Sequence, residues 1–212
     1  MILYIDTSSS YLYTGIVENN NLLKEIKKEY GHELSQAALP EIVSMFEDAD
    51  ITPQDITKII VVNGPGSFTG IRIGITIAKV YAWSLKVPIT TITSLEAMAT
   101  SSEKDEVRVP IIDARRGYCY AAIYGKKDEE FLAPTYITYE ELQDKLNKVN
   151  SYKVITNDKE KIKIKYEKIE SYSPNIVEIV KKFQDKKEVN PHAVNPDYLK
   201  LTEAEESKKS DC

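Results

Sequence analysis

Two aspartates sit at matching places in two similar stretches. Asp6 ends ILYID and precedes Thr7-Ser8-Ser9, while Asp113 ends VPIID and precedes Ala114-Arg115-Arg116-Gly117. A carboxylate at a strand end, followed by small hydroxyl or glycine residues in a hairpin, suits Mg²⁺ and phosphate binding in the cleft of a two-lobed phosphotransferase. The same carboxylate can simply accept the N–H groups of its own turn. The run NGPGSFTG at 63–70 raises the phosphate question again, because four of the eight glycines (Gly64, Gly66, Gly70, Gly74) crowd into it and its continuation. It is neither GxxxxGK[ST] nor GxGxxG. A Gly- and Ser-rich turn from strand to helix can offer N–H groups to an anion, or can serve a close approach that only glycine permits. The candidate phosphate or nucleotide contacts are therefore Asp6, Thr7, Ser8, Gly64, Gly66, Ser67 and Asp113.

Other chemistries find less support. HELSQ at 32–36 begins like HExxH but ends on Gln36, and the second histidine of the chain is His192. Catalytic zinc takes three protein ligands, so His32 reads as a helix-start residue. No GxSxG marks a serine nucleophile. Cys119 and Cys212 form no CxxC, which fits a reducing compartment. Arg115-Arg116 could bind an anion but reads better as a solvated hairpin pair, and the fourteen tyrosines, clustered at Tyr11/Tyr13 and Tyr118/Tyr120/Tyr124, read as sheet packing. A net charge of −5 argues against a chain that grips nucleic acid alone. No apolar run approaches the ~20 residues of a membrane span, and Met1 leads straight into ILYID. No signal peptide, no membrane association and a cytoplasmic location are expected.

These residues need elements to hold them. ILYID, YLYTGIVE and LLKEIKKEY read as a meander. Leu34, Ala38, Ile42, Met45 and Ala49 recur at helical spacing, with a kink or two abutting turns expected at Pro40. Thr52-Pro53-Gln54-Asp55 predicts a short capped helix, and IIVVN a buried strand. In IRIGITIAKVYAWSLK the alternating isoleucines suggest a strand. Gly70, Gly74, Ala78 and Ala82, however, recur every fourth residue over a longer run, predicting a helix with a small-residue stripe. VPITTI and YKVITN read as strands, Thr138–Glu141 as a capping box opening a helix to about Val149, and Ser173-Pro174 as another helix start. An offset of 107 lays Asp6 on Asp113, Tyr11 on Tyr118, Tyr13 on Tyr120 and Ile16 on Ile123, half the length of 212. A duplicated α/β fold follows, with lobes at 1–100 and 107–200 and a polar, partly ordered tail at 201–212.

The run VVNGPGSFTGIRIGITIAK closely resembles the signature of the bacterial TsaB (YeaZ) family, whose members take part in making threonylcarbamoyladenosine in tRNA. ILYIDTSS, GHELSQAALPEI, ITSLEAMA, IIDARRGYCYAAIY and PDYLKLTEAE agree. The similarity is dense to about residue 125 and returns at 196–205. The resemblance implies an actin-like (ASKHA) fold of two RNase H-like lobes. It also implies a non-catalytic paralogue of TsaD: the two metal histidines of TsaD fall on Ser94 and Met98, neither of which replaces imidazole, so no metal or required cofactor is expected. The implied partners are TsaD as a heterodimer, the ATPase TsaE, and a second copy when TsaD is absent, with tRNA met only through the complex and ATP or ADP at the complex interface. The helices at about 33–49 and 67–86 would pack in a four-helix bundle with the partner. The interface residues the resemblance implies are Leu34, Ala38, Ile42, Met45, Gly70, Gly74, Ala78 and Ala82, while the stripe Gly70/Gly74/Ala78/Ala82 equally suits close packing against the chain's own sheet. The competing reading is an active nucleotide-dependent phosphotransferase using Asp6 and Asp113; a metallopeptidase is disfavoured by the histidine count.

Overall fold

The computed structural model describes residues 1–200, so the tail at 201–212 lies outside the described residues. Strands β1 (Ile2–Asp6), β2 (Tyr11–Glu18) and β3 (Asn21–Glu29) form the antiparallel meander read from the sequence. Helix α1 (Leu34–Asp48) leads to β4 (Lys58–Val62), parallel to β1; α2 (Phe68–Leu85) leads to β5 (Ile89–Ile92), parallel to β4. Helix α3 (Ser94–Ser101) follows. The pattern then repeats as β6 (Val107–Asp113), β7 (Tyr118–Tyr124), β8 (Glu130–Thr138), α4 (Tyr139–Leu146), β9 (Tyr152–Ile155), β10 (Lys168–Glu170) and α5 (Ile176–Phe183). The sheets run β3-β2-β1-β4-β5 and β10-β9-β6-β7-β8. Read from the opposite edge, the second order is the first with each strand replaced by its repeat. This is the two-lobed, actin-like arrangement of RNase H-like lobes.

Five layers result. α1 and α2 cover one face of the first sheet, packing Leu34, Ala38, Ile42 and Ala78 against Leu3, Ile5, Ile59 and Val61. Its other face meets α3 and α5, where Tyr4, Ile60 and Val62 join Leu95, Met98, Ile176 and Ile179. Ala122, Tyr124 and Ile155 of the second sheet close this central layer. The far face of the second sheet packs Ile111, Cys119 and Val154 on Leu142 and Leu146 of α4.

Local chemistry explains most boundaries. Thr93 and Glu96 cap α3 reciprocally, the Thr93 N–H donating to Glu96 Oε2 at 2.7 Å and the Glu96 N–H to Thr93 Oγ1 at 3.0 Å. Thr138 and Glu141 do the same for α4, which ends at Leu146, short of Val149. Two readings are refined. α1 runs unbroken through Pro40, so the alternative of two abutting turns does not occur; the position is exposed, and water can take over the hydrogen bond its ring nitrogen cannot supply. α5 is capped by Asn175, whose Oδ1 accepts from the Glu178 N–H at 3.2 Å, and not by Ser173.

Two larger corrections concern surfaces. Leu34, Ala38, Ile42, Met45, Gly70, Gly74, Ala78 and Ala82 are all buried in the chain's own core and are not an interface. The small-residue stripe of α2 lets that helix approach β1 and the turn after it: a Cβ on Gly74 would overlap Thr7 Oγ1, and one on Gly70 the Thr7 carbonyl. The second lobe does not extend to residue 200 either. Its sheet ends at Glu170, and the following chain returns to the first lobe. There α5 packs on β1, β2 and β3, Val189 bridges to Ile89, and Val194 enters the core beneath α2.

Candidate functional site

The turn after β1 and the end of β6 face an open cleft of about 1360 Å³ between the lobes. Of the seven candidate contacts, Ser8, Gly66, Ser67 and Asp113 line it, and Asp6, Thr7 and Gly64 do not. The two matched aspartates therefore differ. Asp113 is half-buried, its Oδ1 accepting from the Tyr139 hydroxyl at 3.1 Å and its Oδ2 from the Arg115 N–H at 3.3 Å. Asp6 is only 1% exposed. Its Oδ1 accepts from the Ser8 N–H at 2.9 Å and the Ser8 hydroxyl at 2.7 Å, and the Tyr4 and Tyr172 hydroxyls approach Oδ2 at 3.4 Å. Burial raises the Asp6 pKa against the lowering pull of these bonds. A carboxylate so enclosed serves its turn before it serves a metal. Tyr172 was not legible as its partner, because it reaches Asp6 from the returning chain.

The glycine turn is likewise directed inward. The Ser67 N–H donates to the Ser8 carbonyl at 2.7 Å, and Ser67 Oγ caps α2 by accepting from the Gly70 N–H at 3.2 Å. Gly66 has φ +155°, and a Cβ there would overlap the Ser8 carbonyl oxygen. A Cβ on Gly64 would fall 2.7 Å from the Asp197 carbonyl oxygen. On the other side Ser94 donates its hydroxyl to the Pro65 carbonyl at 2.5 Å and its N–H to the Gly64 carbonyl at 2.8 Å. Met98 is buried in the central layer. Ser94 and Met98 thus support the turn and the core, and among the described residues no group of three His, Cys, Asp or Glu could hold a metal ion. His32 is exposed, in a single 3₁₀ turn ahead of α1.

A second surface stands outside the cleft. With the stripes of α1 and α2 turned inward, Leu39 and Val43 of α1 and Val80 and Trp83 of α2 point outward, at 47%, 43%, 59% and 66% exposure. These apolar side chains recur at i, i+4 on α1 and at i, i+3 on α2, two helices that pack side by side.

A family model described as "TsaD: tRNA N6-adenosine threonylcarbamoyltransferase" matches residues 16–207. The tRNA threonylcarbamoyladenosine biosynthesis protein TsaB of Bacillus subtilis is 33% identical over 221 aligned positions, 96% of each chain. The chain belongs to the TsaB family. The TsaB protein of Escherichia coli is 32% identical over 123 positions, 52% of this chain and 53% of that one. A Pseudomonas aeruginosa structure, an uncharacterized protein with similarity to peptidase YeaZ, superposes with a TM-score of 0.77. It is 19% identical, covering 94% of this chain and 99% of that one, and so speaks for the TsaB fold alone. Among the described residues no helix of this TsaB-family chain is long and apolar enough to cross a membrane.

Proposed function

We propose that this chain is a non-catalytic subunit of the machinery that forms threonylcarbamoyladenosine in tRNA, beside the anticodon. It binds and stabilises TsaD through the outer faces of α1 and α2, and uses the same surface for a second copy when TsaD is absent. TsaE joins the complex, tRNA is engaged only through it, and ATP or ADP, when bound, sits at the complex interface in the cytoplasm. The observation that carries this reading is the apolar ridge of Leu39, Val43, Val80 and Trp83, exposed on a chain of this family. Membership supports the process, and these exposed apolar side chains support the choice of surface.

The phosphotransferase alternative draws on the open cleft and on Asp113 at its wall. It is the weaker reading because Asp6 is enclosed by Ser8, Tyr4 and Tyr172. The peptidase word attached to the Pseudomonas neighbour finds no support in Ser94 and Met98, both engaged in packing. The test is reconstitution with the organism's own TsaD and TsaE, scoring tRNA modification with wild type, with Trp83→Glu and without the chain. Wild type is expected to restore modification and Trp83→Glu to fail while remaining folded. Modification that proceeds equally without the chain would defeat the reading. ATP turnover by the isolated chain, lost in Asp113→Asn, would favour the alternative.

A further inference from the structure

The outer stripe of α2 does not stop at Val80 and Trp83. It continues through Thr76 to Arg72 and Phe68 at the start of the helix, all exposed. Phe68 is 57% exposed, and its ring stacks on that of Tyr198 with centroids 5.4 Å apart. The Arg72 guanidinium lies 3.7 Å over the Phe68 ring, and its Nε donates to the Tyr198 hydroxyl at 2.9 Å. Tyr198 is itself fixed. The chain before it is pinned by the Asp197 N–H donating to the Asn63 carbonyl at 2.7 Å, and by Lys79 Nζ donating to the carbonyls of His192 and Val194 at 3.2 and 3.1 Å. None of the ion pairs among the described residues uses Arg72, although the chain carries a net charge of −5.

We propose that Arg72, held by Phe68 and Tyr198, is the polar anchor of the docking surface and receives a carboxylate side chain of the protein partner. This rests on the docking-face reading above. A guanidinium stacked on one ring and tied at Nε has its rotamers chosen in advance, leaving the Nη edge for a two-pronged bond to a carboxylate. An arginine clustered with aromatic side chains is also the composition of an interface hot spot. Continuity with Val80 and Trp83 on one helix face assigns the carboxylate to whatever covers that ridge. The returning chain thereby sets partner affinity from the far end of the sequence, since Tyr198 positions Arg72 without being part of α2.

The test measures TsaD affinity and thermal unfolding for the full chain, Arg72→Lys, Arg72→Glu, Tyr198→Phe, Trp83→Ala and a chain ending at Lys200. Arg72→Glu should lose about 30-fold or more in affinity with an unchanged melting temperature, and Arg72→Lys should lose much of that because lysine neither stacks nor forks. Tyr198→Phe should weaken binding less, and the salt dependence of binding should flatten in Arg72→Glu. Normal binding by Arg72→Glu alongside loss in Trp83→Ala would overturn this inference and leave the docking face standing. Normal binding by both would overturn the docking face as well. If removing residues 201–212 tightens binding and removes the effect of Arg72→Glu, an acidic residue of the chain's own tail is the occupant and the inference fails. Unchanged behaviour of the shortened chain supports it.

Discussion

The Ser8 carbonyl accepts the Ser67 N–H at 2.7 Å, and this one bond closes the glycine turn onto the end of β1. It accounts for glycine at the two nearest positions. Gly66 and Gly70 face backbone carbonyls, of Ser8 and Thr7, which cannot swing aside as a side chain could.

Gly70→Ala and Gly66→Ala should therefore each destabilise the chain by about 2–3 kcal/mol, the upper part of the overpacking range. Gly31 supplies the control. It has φ +55° with nothing within 4 Å of an added Cβ, so Gly31→Ala should cost only the left-handed backbone penalty of about 1–2 kcal/mol. Chemical denaturation of the three variants separates lost space from backbone strain. Equal losses would show that overlap with the carbonyls is relieved cheaply.

Ala78→Leu should lower the melting temperature by several degrees, since overpacking of about 1–3 kcal/mol shifts a chain of this size by roughly 2–4 °C per kcal/mol. Whatever remains folded should bind TsaD normally, because Ala78 faces the chain's own sheet at 0% exposure. Val80→Glu should do the opposite, keeping the melting temperature and losing association. Calorimetric unfolding and affinity on the same preparations check both.

Asp6→Asn should fold, keep the Ser8 hydrogen bonds and support tRNA modification at wild-type rates. Burial raises the Asp6 pKa in the folded chain, so the folded state holds its proton to higher pH than the unfolded one. The wild type thus loses stability as pH rises from the ordinary carboxylate range through the raised pKa, and Asp6→Asn does not. Unfolding free energies measured from pH 4 to pH 8 should show the variant gaining on wild type as pH increases. A variant that instead loses ground to wild type as pH rises would reverse the sign and refute the assignment.

Asp128 should behave in the reverse sense. Burial disfavours its charge, but Lys104, Arg108 and Lys182 outweigh it and hold the carboxyl well below the usual range. Its stabilisation is present above the ordinary carboxylate pKa and lost as pH falls. Arg108 is fully buried and also donates to the Ala99 and Gly125 carbonyls at 2.9 and 2.5 Å. Asp128→Asn should cost about 3 kcal/mol at neutral pH, the low end for breaking a buried pair, since Asp128 keeps some contact with water. The penalty should shrink below pH 4 in acid-unfolding curves.

Local chemistry was legible and its partners were not. Thr138–Glu141 and the strand beginning each half state their geometry in a few neighbouring residues. The stripe Gly70/Gly74/Ala78/Ala82 correctly predicted a helix that something approaches closely. Spacing cannot say whether that something is the same chain, and it is β1. β8 went unread because Pro134 interrupts FLAPTYIT, which an edge strand tolerates. β10 is three residues in a lysine-rich stretch with no alternating signal. Residue type alone pointed to Asp113, Ser8, Gly66 and Ser67, which line the cleft, and equally to Asp6, which does not. It did not point to Tyr172 or Tyr198, because nothing local records where a returning chain comes to rest.

That return has a consequence for how the protein is made. A ribosome delivers the first sheet, with α1, α2 and α3 to cover it, before the second, and α5 emerges only after every strand of the second sheet has been made. Until Ile176–Phe183 arrives, one flank of the earliest sheet is bare. The half synthesised first is completed last. Such a nascent chain depends on chaperones, or on speed, to stay out of aggregates during elongation. It also cannot be cut at its sequence repeat into two freely exchangeable cassettes, because each needs a piece carried by the other.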